Sequence, residues 1–266
     1  MATPSITTLA ARATDFKALH VPGKPLLLAN VYDPISARIV GTLPNVRALA
    51  SASWAVAQTV GVDDGQLTLE QNLTQLAPIA AVAHELGLPL TVDIQDGYGD
   101  RLEEVIRRVI TELGAVGVNL EDSDRATFKV IGEEEAVDRV RRAVKVAAEV
   151  GVPDFVVNAR ADSWPAHQDL EESIRRGKKY LEAGATTVFV FWGGSRETPE
   201  EDVKKLVDAF GGRVNIQARK ETSVQKKALT SADIARLGAA RVSVGPQLYL
   251  AALGAITQAA KAILDA

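Results

Sequence analysis

A chain of 266 residues with 47% hydrophobic and 24% charged side chains has enough apolar content for a large core. Its formal charge of −4, from 30 basic against 34 acidic residues, gives no basic surplus for nucleic acid, and the absence of cysteine removes disulfides, thiolate metal sites and cysteine nucleophiles. No signal-peptide pattern is read at the start and no uncharged apolar stretch of about 18 or more residues, so the expectation is a cytoplasmic protein without a membrane span, folded as one domain over residues 1–266.

Short β-type runs alternate with longer segments of helical period. Asp15 to His20 reads as a helical turn, followed by a first strand over Pro25 to Asn30. The second and third strands are expected at Val46 to Ala50 and Leu88 to Ile94, with a helix between them over Gln66 to Leu86. Leu102, Val105, Ile106, Val109, Ile110 and Leu113 have helical spacing, and Asp100 with Glu103 suits a capping box. Strands then follow at Gly117 to Glu121 and Asp154 to Arg160, a helix at Leu170, Ile174 and Leu181, and a strand at Thr187 to Phe191. The pair Gly193-Gly194 with Ser195 reads as a turn that could also cradle a phosphate. Pro199 is expected in the first turn of a helix that Gly211-Gly212 stops. The last strands are expected at Val214 to Gln217 and Arg241 to Val244, separated by a helix capped by Ser231, with a long helix over Pro246 to Ala266. Largely apolar strands fit parallel pairing buried on both faces. Eight strand–helix units, with no Gly-x-Gly-x-x-Gly after the first strand, point to an α/β fold of the (β/α)8 TIM-type barrel class.

Chemistry in such a barrel belongs at the carboxyl ends of the strands. Those ends carry Ser51, Ala52, Ser53 and Trp54, then Asp63 and Asp64; Asp93, Gln95 and Asp96; Glu121 and Asp122; Arg160 and Asp162; Trp192; and Asn215 with Gln217. Acids from several strand ends converging on one mouth repel one another and call for a cation. Oxygen donors in a chain with three histidines and no cysteine favour a hard metal, Mg2+ or Mn2+. Arg160 adds a planar fork suited to a carboxylate or phosphonate. Asp96, Asp122 and Asp162, taken singly, read as helix caps. Trp54, Trp164 and Trp192 read equally well as lid packing or as an apolar pocket wall.

The segments ANVYDPISARIV, ASASWAVAQTVGVDDG, LTVDIQDGYGD, GVNLEDS, VVNARADSW and LGAARVSVGPQLYLAAL, in this order and spacing, resemble the phosphoenolpyruvate mutase and isocitrate lyase superfamily. The resemblance runs from about Leu26 to Ala255. It implies a Mg2+-dependent enzyme acting on small 2-oxo or 2-hydroxy carboxylates through an enolate. It places metal-binding acids at Asp64, Asp93 and Glu121, and Gln95 where the family has a further aspartate. It makes Arg160 the substrate arginine and Ser51, Ala52 and Ser53 the loop that receives the substrate carboxylate. Tyr32 and Asp33 fall near the substrate, Trp192 and Asn215 at later strand ends. A last helix exchanged between subunits of a homo-oligomer, a dimer or tetramer, is implied for Pro246 to Ala266.

Two departures narrow the reaction. Gln95 brings no charge to the metal, and the Lys-Cys-Gly-His lid of the isocitrate and methylisocitrate lyases is replaced by Asp124 to Lys129. Loss of CO2 from an oxaloacetate-like acid depends least on that lid. Cleavage to an aldehyde needs a base, for which Tyr32, Tyr98 and His167 are the candidates. Phosphonopyruvate hydrolysis or mutation of a P–C bond, and carboxylate binding without catalysis, are the alternatives.

Overall fold

The computed structural model describes residues 3–193, 197–222, 225 and 227–265, so Gly194 and Ser195 of the glycine pair lie outside the described residues. Among the described residues eight strands form inside the expected runs, most of them shorter, with β5 extending one residue beyond its run: β1 Leu26–Leu28, β2 Leu49–Ala50, β3 Leu90–Asp93, β4 Gly117–Glu121, β5 Val156–Ala161, β6 Thr187–Val190, β7 Asn215–Gln217 and β8 Arg241–Ser243. The helices are α1 Ile6–Ala18, α2 Pro34–Gly41, α3 Ser53–Thr59, α4 Leu69–Glu85, α5 Leu102–Thr111, α6 Glu133–Val150, α7 Ser163–His167, α8 Leu170–Glu182, α9 Glu200–Phe210, α10 Ser231–Leu237 and α11 Gln247–Leu264.

All strand pairing in the sheets is parallel, in a five-stranded sheet β2-β3-β4-β5-β6 and a three-stranded sheet β1-β8-β7. The order is the sequential one expected of a barrel, but the sheet is split, and only single parallel bridges, Val31 to Ser51 and Val188 to Val214, link the two pieces. At the first of these seams a side chain does the work of a ladder. Asn30 donates through Nδ2 to the Ser51 carbonyl at 2.8 Å, and its Oδ1 accepts from Val244 N at 2.9 Å and Gly245 N at 3.0 Å. One buried amide therefore ties β1 to the chain beyond β2 and β8.

Alternation along the strands divides their side chains. Val118, Ala159, Val188, Ile216 and Val242 join the hydrophobic core beneath the helices. Asn119, Asn158, Thr187, Asn215 and Ser243 lie on the opposite face and bond to one another. Asn158 Nδ2 donates to Asn119 Oδ1 at 2.5 Å, Thr187 Oγ1 to Asn158 Oδ1 at 2.6 Å, and Asn215 Nδ2 to Ser243 Oγ at 2.9 Å. The interior of the strand layer is thus polar and mostly satisfied, as burial of such groups requires.

The helix ends differ from the sequence expectation in four places. Helix α1 begins at Ile6, well before Asp15, because Ser5 caps it by accepting from Thr8 N and because Leu9, Ala13 and Phe16 form a buried stripe. Asp100 does not cap α5; Gly99–Arg101 form a 3-10 turn that takes up the entry, and Arg101 stands at the cap without a side-chain capping bond, its guanidinium turned to Glu104 and Glu70. Thr230, with Asp233 as its capping-box partner, displaces Ser231 as the cap of α10. Pro199 stands at the N-cap of α9, one residue before the first turn.

Helix α11 is long and apolar enough to span a membrane by length and composition, and none of it is buried. Leu253, Ile256 and Ile263 on it are exposed, as are Ile35 and Ile39 of α2 and Leu27 on the outer side of β1.

His20, just past α1, packs edge-on against Phe16 at 5.0 Å and is pulled down to about 3 by burial, then by the charge of Arg241. An imidazole held neutral in the fold but protonated near pH 6.5 when unfolded stabilises the protein fully above that pH, and the contribution is lost as pH falls from 6.5 toward 3. Replacing His20 with Phe should flatten the acid limb of stability, recovering about 2 kcal/mol at pH 5. Urea titrations at pH 7 and pH 5 read this directly, and an unchanged difference between the two pH values would contradict it.

Candidate active site

A cavity of about 1020 Å3 opens at the carboxyl ends of the strands. Ser51 to Trp54, Asp63, Asp64, Asp93 and Arg160 line one side; Gln217, Arg219, Lys220, Arg241 and Ser243 line another.

Asp93 ends β3 and is held by the loop after β2. Its Oδ2 accepts from Ser53 N at 3.1 Å, its Oδ1 from Gln95 N at 3.2 Å, and its own N–H donates to Ser51 Oγ at 2.8 Å. Ser51 and Ser53 therefore orient Asp93, and Ala52, between them, is the N-cap residue of α3. Asp64 faces Asp93 from the loop after α3. Burial, then repulsion from Asp93, pushes its carboxyl up to about 6. Gly65 allows this loop to lie against the segment after β4: a Cβ there would come within 2.6 Å of the Arg125 carbonyl. Arg125 Nη1 in turn donates to the Gly65 and Leu67 carbonyls at 3.0 and 3.2 Å. The segment Asp124 to Lys129 thus reaches the Asp64 loop through an arginine.

Gln95 donates Nε2 to Asp64 Oδ1 at 2.9 Å and to its carbonyl at 2.7 Å, while its own Oε1 is buried without a partner. Among the described residues no three of His, Cys, Asp and Glu gather into a ready ligand group. Mg2+ commonly keeps several waters and is held by one or two carboxylates. Two facing carboxylates, an orphaned amide oxygen beside them and oxygen-only donors fit such a hydrated hard cation, with Asp64 and Asp93 as its holders.

Arg160 and Glu121 face each other across the β4–β5 register. Arg160 Nη1 pairs with Glu121 Oε1 at 2.5 Å, and Nη2 with Asp162 Oδ1 at 2.8 Å. The Phe191 ring lies 4.0 Å from the guanidinium carbon, a cation–π contact. Burial drives the Glu121 carboxyl well above its ordinary range, opposed by Arg160. Asp162, read from sequence as a cap, instead holds Arg160 through Oδ1 and accepts from Ser123 Oγ at 3.0 Å through Oδ2. Asp122 is a buried anchor: Tyr180 Oη donates to it at 2.6 Å, Asp162 N at 2.7 Å and Arg176 at 3.3 Å.

Other expected site residues stand apart from the cavity lining. Asp33 caps α2, accepting from Ser36 N at 2.6 Å, with the Ser36 hydroxyl closing the capping box. Tyr32 meets Tyr249 edge-on at 5.1 Å and packs on Val56, Ala57 and Leu67. Tyr98 is buried with its ring under Arg125 at 4.9 Å, and burial pushes its hydroxyl far above the ordinary phenol range. His167 pairs with Glu172 at 2.7 Å on the surface. Trp192 is buried against Trp164 at 5.3 Å, so of the three tryptophans Trp54 alone lines the cavity. Asn215 bonds Ser243 within the strand layer. Sequence reasoning missed Phe191, Asp162 as the partner of Arg160, and Arg241; strand alternation, which puts residues two apart on one face, was the signal available for Arg241 and Ser243.

The phosphoenolpyruvate phosphomutase family model matches residues 16–264. The chain belongs to the phosphoenolpyruvate mutase and isocitrate lyase superfamily. An uncharacterised protein of Mycobacterium tuberculosis is 31% identical over 254 residues, covering 94% of this chain and 89% of that one. The 2-methylisocitrate lyase of Escherichia coli is 34% identical over 194 residues, covering 65% of this chain and 62% of the lyase. A crystal structure of a candidate phosphonomutase from Burkholderia cenocepacia superposes with a TM-score of 0.83 at 33% identity, covering 97% of this chain and 100% of that one. The superfamily comprises lyases and mutases of C–C and P–C bonds.

The position of Asp33 sets a prediction. Asp33→Ala removes a cap and should cost about 1 kcal/mol of folding stability, leaving the affinity for Mg2+ with oxalate unchanged. Denaturant melts and calorimetry on the same variant separate the two effects; a loss of oxalate affinity at unchanged stability would return Asp33 to the substrate site.

Proposed function

We propose that the chain is a Mg2+- or Mn2+-dependent lyase that breaks a C–C bond next to a small 2-oxo or 2-hydroxy carboxylate, with an oxaloacetate-like acid losing CO2 as the leading reaction. The observation that carries the choice is that the bases expected from the sequence stand outside the cavity. Among the described residues none of Tyr32, Tyr98 and His167 lines the cavity that holds Asp64, Asp93 and Arg160, and cleavage to an aldehyde needs a group to take a hydroxyl proton. Loss of CO2 needs none: the electron pair of the breaking C–C bond becomes the enolate, and water returns a proton to carbon to give a pyruvate-like acid. The reading takes the two linked sheets as one (β/α)8 barrel in a single domain.

Asp64 and Asp93 would hold the cation, which when bound polarises the 2-oxo group as a Lewis acid. Ser51 and Ser53 keep Asp93 in place through the bonds already described. Arg160 supplies fixed positive charge where the enolate forms, and its clamp by Glu121 and Asp162 means it arrives pre-oriented. Phe189, Phe191 and Trp54 line the cavity and limit water. The oxaloacetate decarboxylase of Ectopseudomonas mendocina, 31% identical over 180 residues and covering 64% of this chain and 59% of that enzyme, supports the same reaction. The likeness to the candidate phosphonomutase supports a second reading, P–C bond chemistry on phosphonopyruvate, which turnover of that compound would reveal.

Calorimetric titration of Mg2+ with oxalate, a stand-in for the pyruvate enolate, tests the site. Tight metal-dependent oxalate binding is expected, reduced at least a hundredfold in Asp93→Ala; undiminished binding in that variant would sink the assignment.

The apolar surfaces of α11, α2 and β1 fit coverage by a second copy of this chain, as the resemblance implies for the last helix. Leu253→Glu with Ile256→Glu should shift the sedimentation coefficient to that of a smaller species, and a wild-type protein that sediments as a monomer would rule the assembly out.

A further inference from the structure

The cavity contains a second guanidinium that the proposed chemistry leaves unused. Arg241 opens β8 beside Leu26 of β1 and Asn215 of β7, is 3% exposed, and lines the same cavity as Asp64 and Asp93. Its Nε and Nη1 are buried and have no hydrogen-bond partner. Among the described residues no carboxylate pairs with it; Asp93 acts on it only as a charge within reach of its field. Burial pulls the guanidinium down to about 9, which leaves it cationic at neutral pH. The contrast with Arg160 is sharp in chemical terms: Arg160 is clamped by two carboxylates and an aromatic ring, whereas among the described residues nothing clamps Arg241.

A buried charge is ordinarily paired, because desolvation without compensation costs several kcal/mol. The side chains around Arg241 do not supply the pair. Leu26 and Leu28 of β1 are apolar, and His20, which feels the charge of Arg241, is held neutral. Thr91, which lines the same cavity, also has a buried hydroxyl without a partner. The unmet requirement is for an acceptor with negative charge, delivered through the cavity, and a guanidinium is best met by a planar or tetrahedral oxyanion.

We propose that Arg241 forms an oxyanion subsite in the cavity that receives a carboxylate, namely the distal carboxylate of a dicarboxylic 2-oxo acid whose 2-oxo end lies at Asp64, Asp93 and Arg160. In an oxaloacetate-like acid this is the carboxylate that leaves as CO2, and Arg241 orients it before the bond breaks. The identity of the dicarboxylate rests on the function proposed above, whereas the oxyanion subsite does not. Arg241 is on this account a specificity residue: it selects dianionic over monoanionic acids of the same length.

The test uses two pairs of compounds that differ by one carboxylate, oxaloacetate against 2-oxobutyrate and 2-oxoglutarate against 2-oxovalerate, with Mg2+ present, and inorganic phosphate alone as a free oxyanion. The wild-type protein is expected to prefer the dianion of at least one pair tenfold or more, Arg241→Gln to lose that preference while keeping its oxalate affinity, and Arg241→Lys to retain part of it. If phosphate alone raises the melting temperature of the wild type and not of Arg241→Gln, while the paired acids do not differ, the oxyanion subsite stands with a free anion as its occupant. Equal affinity for both members of each pair together with no phosphate effect overturns the proposal and leaves water beside Arg241. Failure of oxalate to bind overturns the lyase reading instead, and the phosphate arm still decides the subsite. Should Arg241→Gln not fold, the wild-type comparison within each pair and the Arg241→Lys variant decide it.

Discussion

Arg160 is clamped between Glu121 and Asp162 over the ring of Phe191, and the geometry of the cavity depends on that cluster. The parallel register sets Glu121 of β4 opposite Arg160 of β5, so the ion pair is a product of strand pairing. Removing one member of a buried pair leaves an uncompensated charge, at a typical cost of about 3–5 kcal/mol. The cluster therefore fixes the orientation of the guanidinium and holds one of the acids nearest the proposed metal site. It also separates the carboxylates: Glu121 and Asp162 pair with Arg160, whereas Asp64 and Asp93 face each other.

A similar economy governs the strand interior. Asparagines and threonines on the inner face satisfy one another across β4, β5 and β6, and Asn30 closes the gap between the two sheets where backbone pairing thins to a single bridge. Of the buried groups that this network leaves without partners, Thr91 and Arg241 line the cavity. Buried polar groups in native structures are nearly all paired, so unpaired ones that line a cavity are open to a polar ligand entering it. The apolar counterpart is on the outside, where α11 carries Leu253 and Ile256 into solvent.

Much of the fold was legible because its signals are local. Apolar runs of four to seven residues followed by helical periods gave eight strands in the right places and order, and the stretch from Gly117 to Glu121 was read to the residue. Boundaries failed where a cap is chosen by competition among neighbours. Asp100 and Ser231 are sound caps by residue type, yet a 3-10 turn at Gly99–Arg101 and the reciprocal bonds of Thr230 with Asp233 took their places. The closed ring expected from eight units is split, since β2 pairs over two residues only and leaves Asn30 to supply the missing bonds.

For the site, the sequence by itself determined which residue types stand at the strand ends, because strand termini and alternation are properties of a few consecutive residues. Asp64, Asp93, Arg160 and the Ser51 to Ser53 loop are accordingly where they were expected, at one cavity. Only the tertiary structure decided what each of them touches. Asp33 turned to its own helix, Tyr98 was buried beneath Arg125, Trp192 went into packing against Trp164, and Asp162 took hold of Arg160. Those outcomes depend on contacts between residues tens of positions apart, and on which charges are left unpaired once every nearer partner has been claimed. No local pattern encodes that remainder, which is why Arg241 emerged only when the strands were brought together.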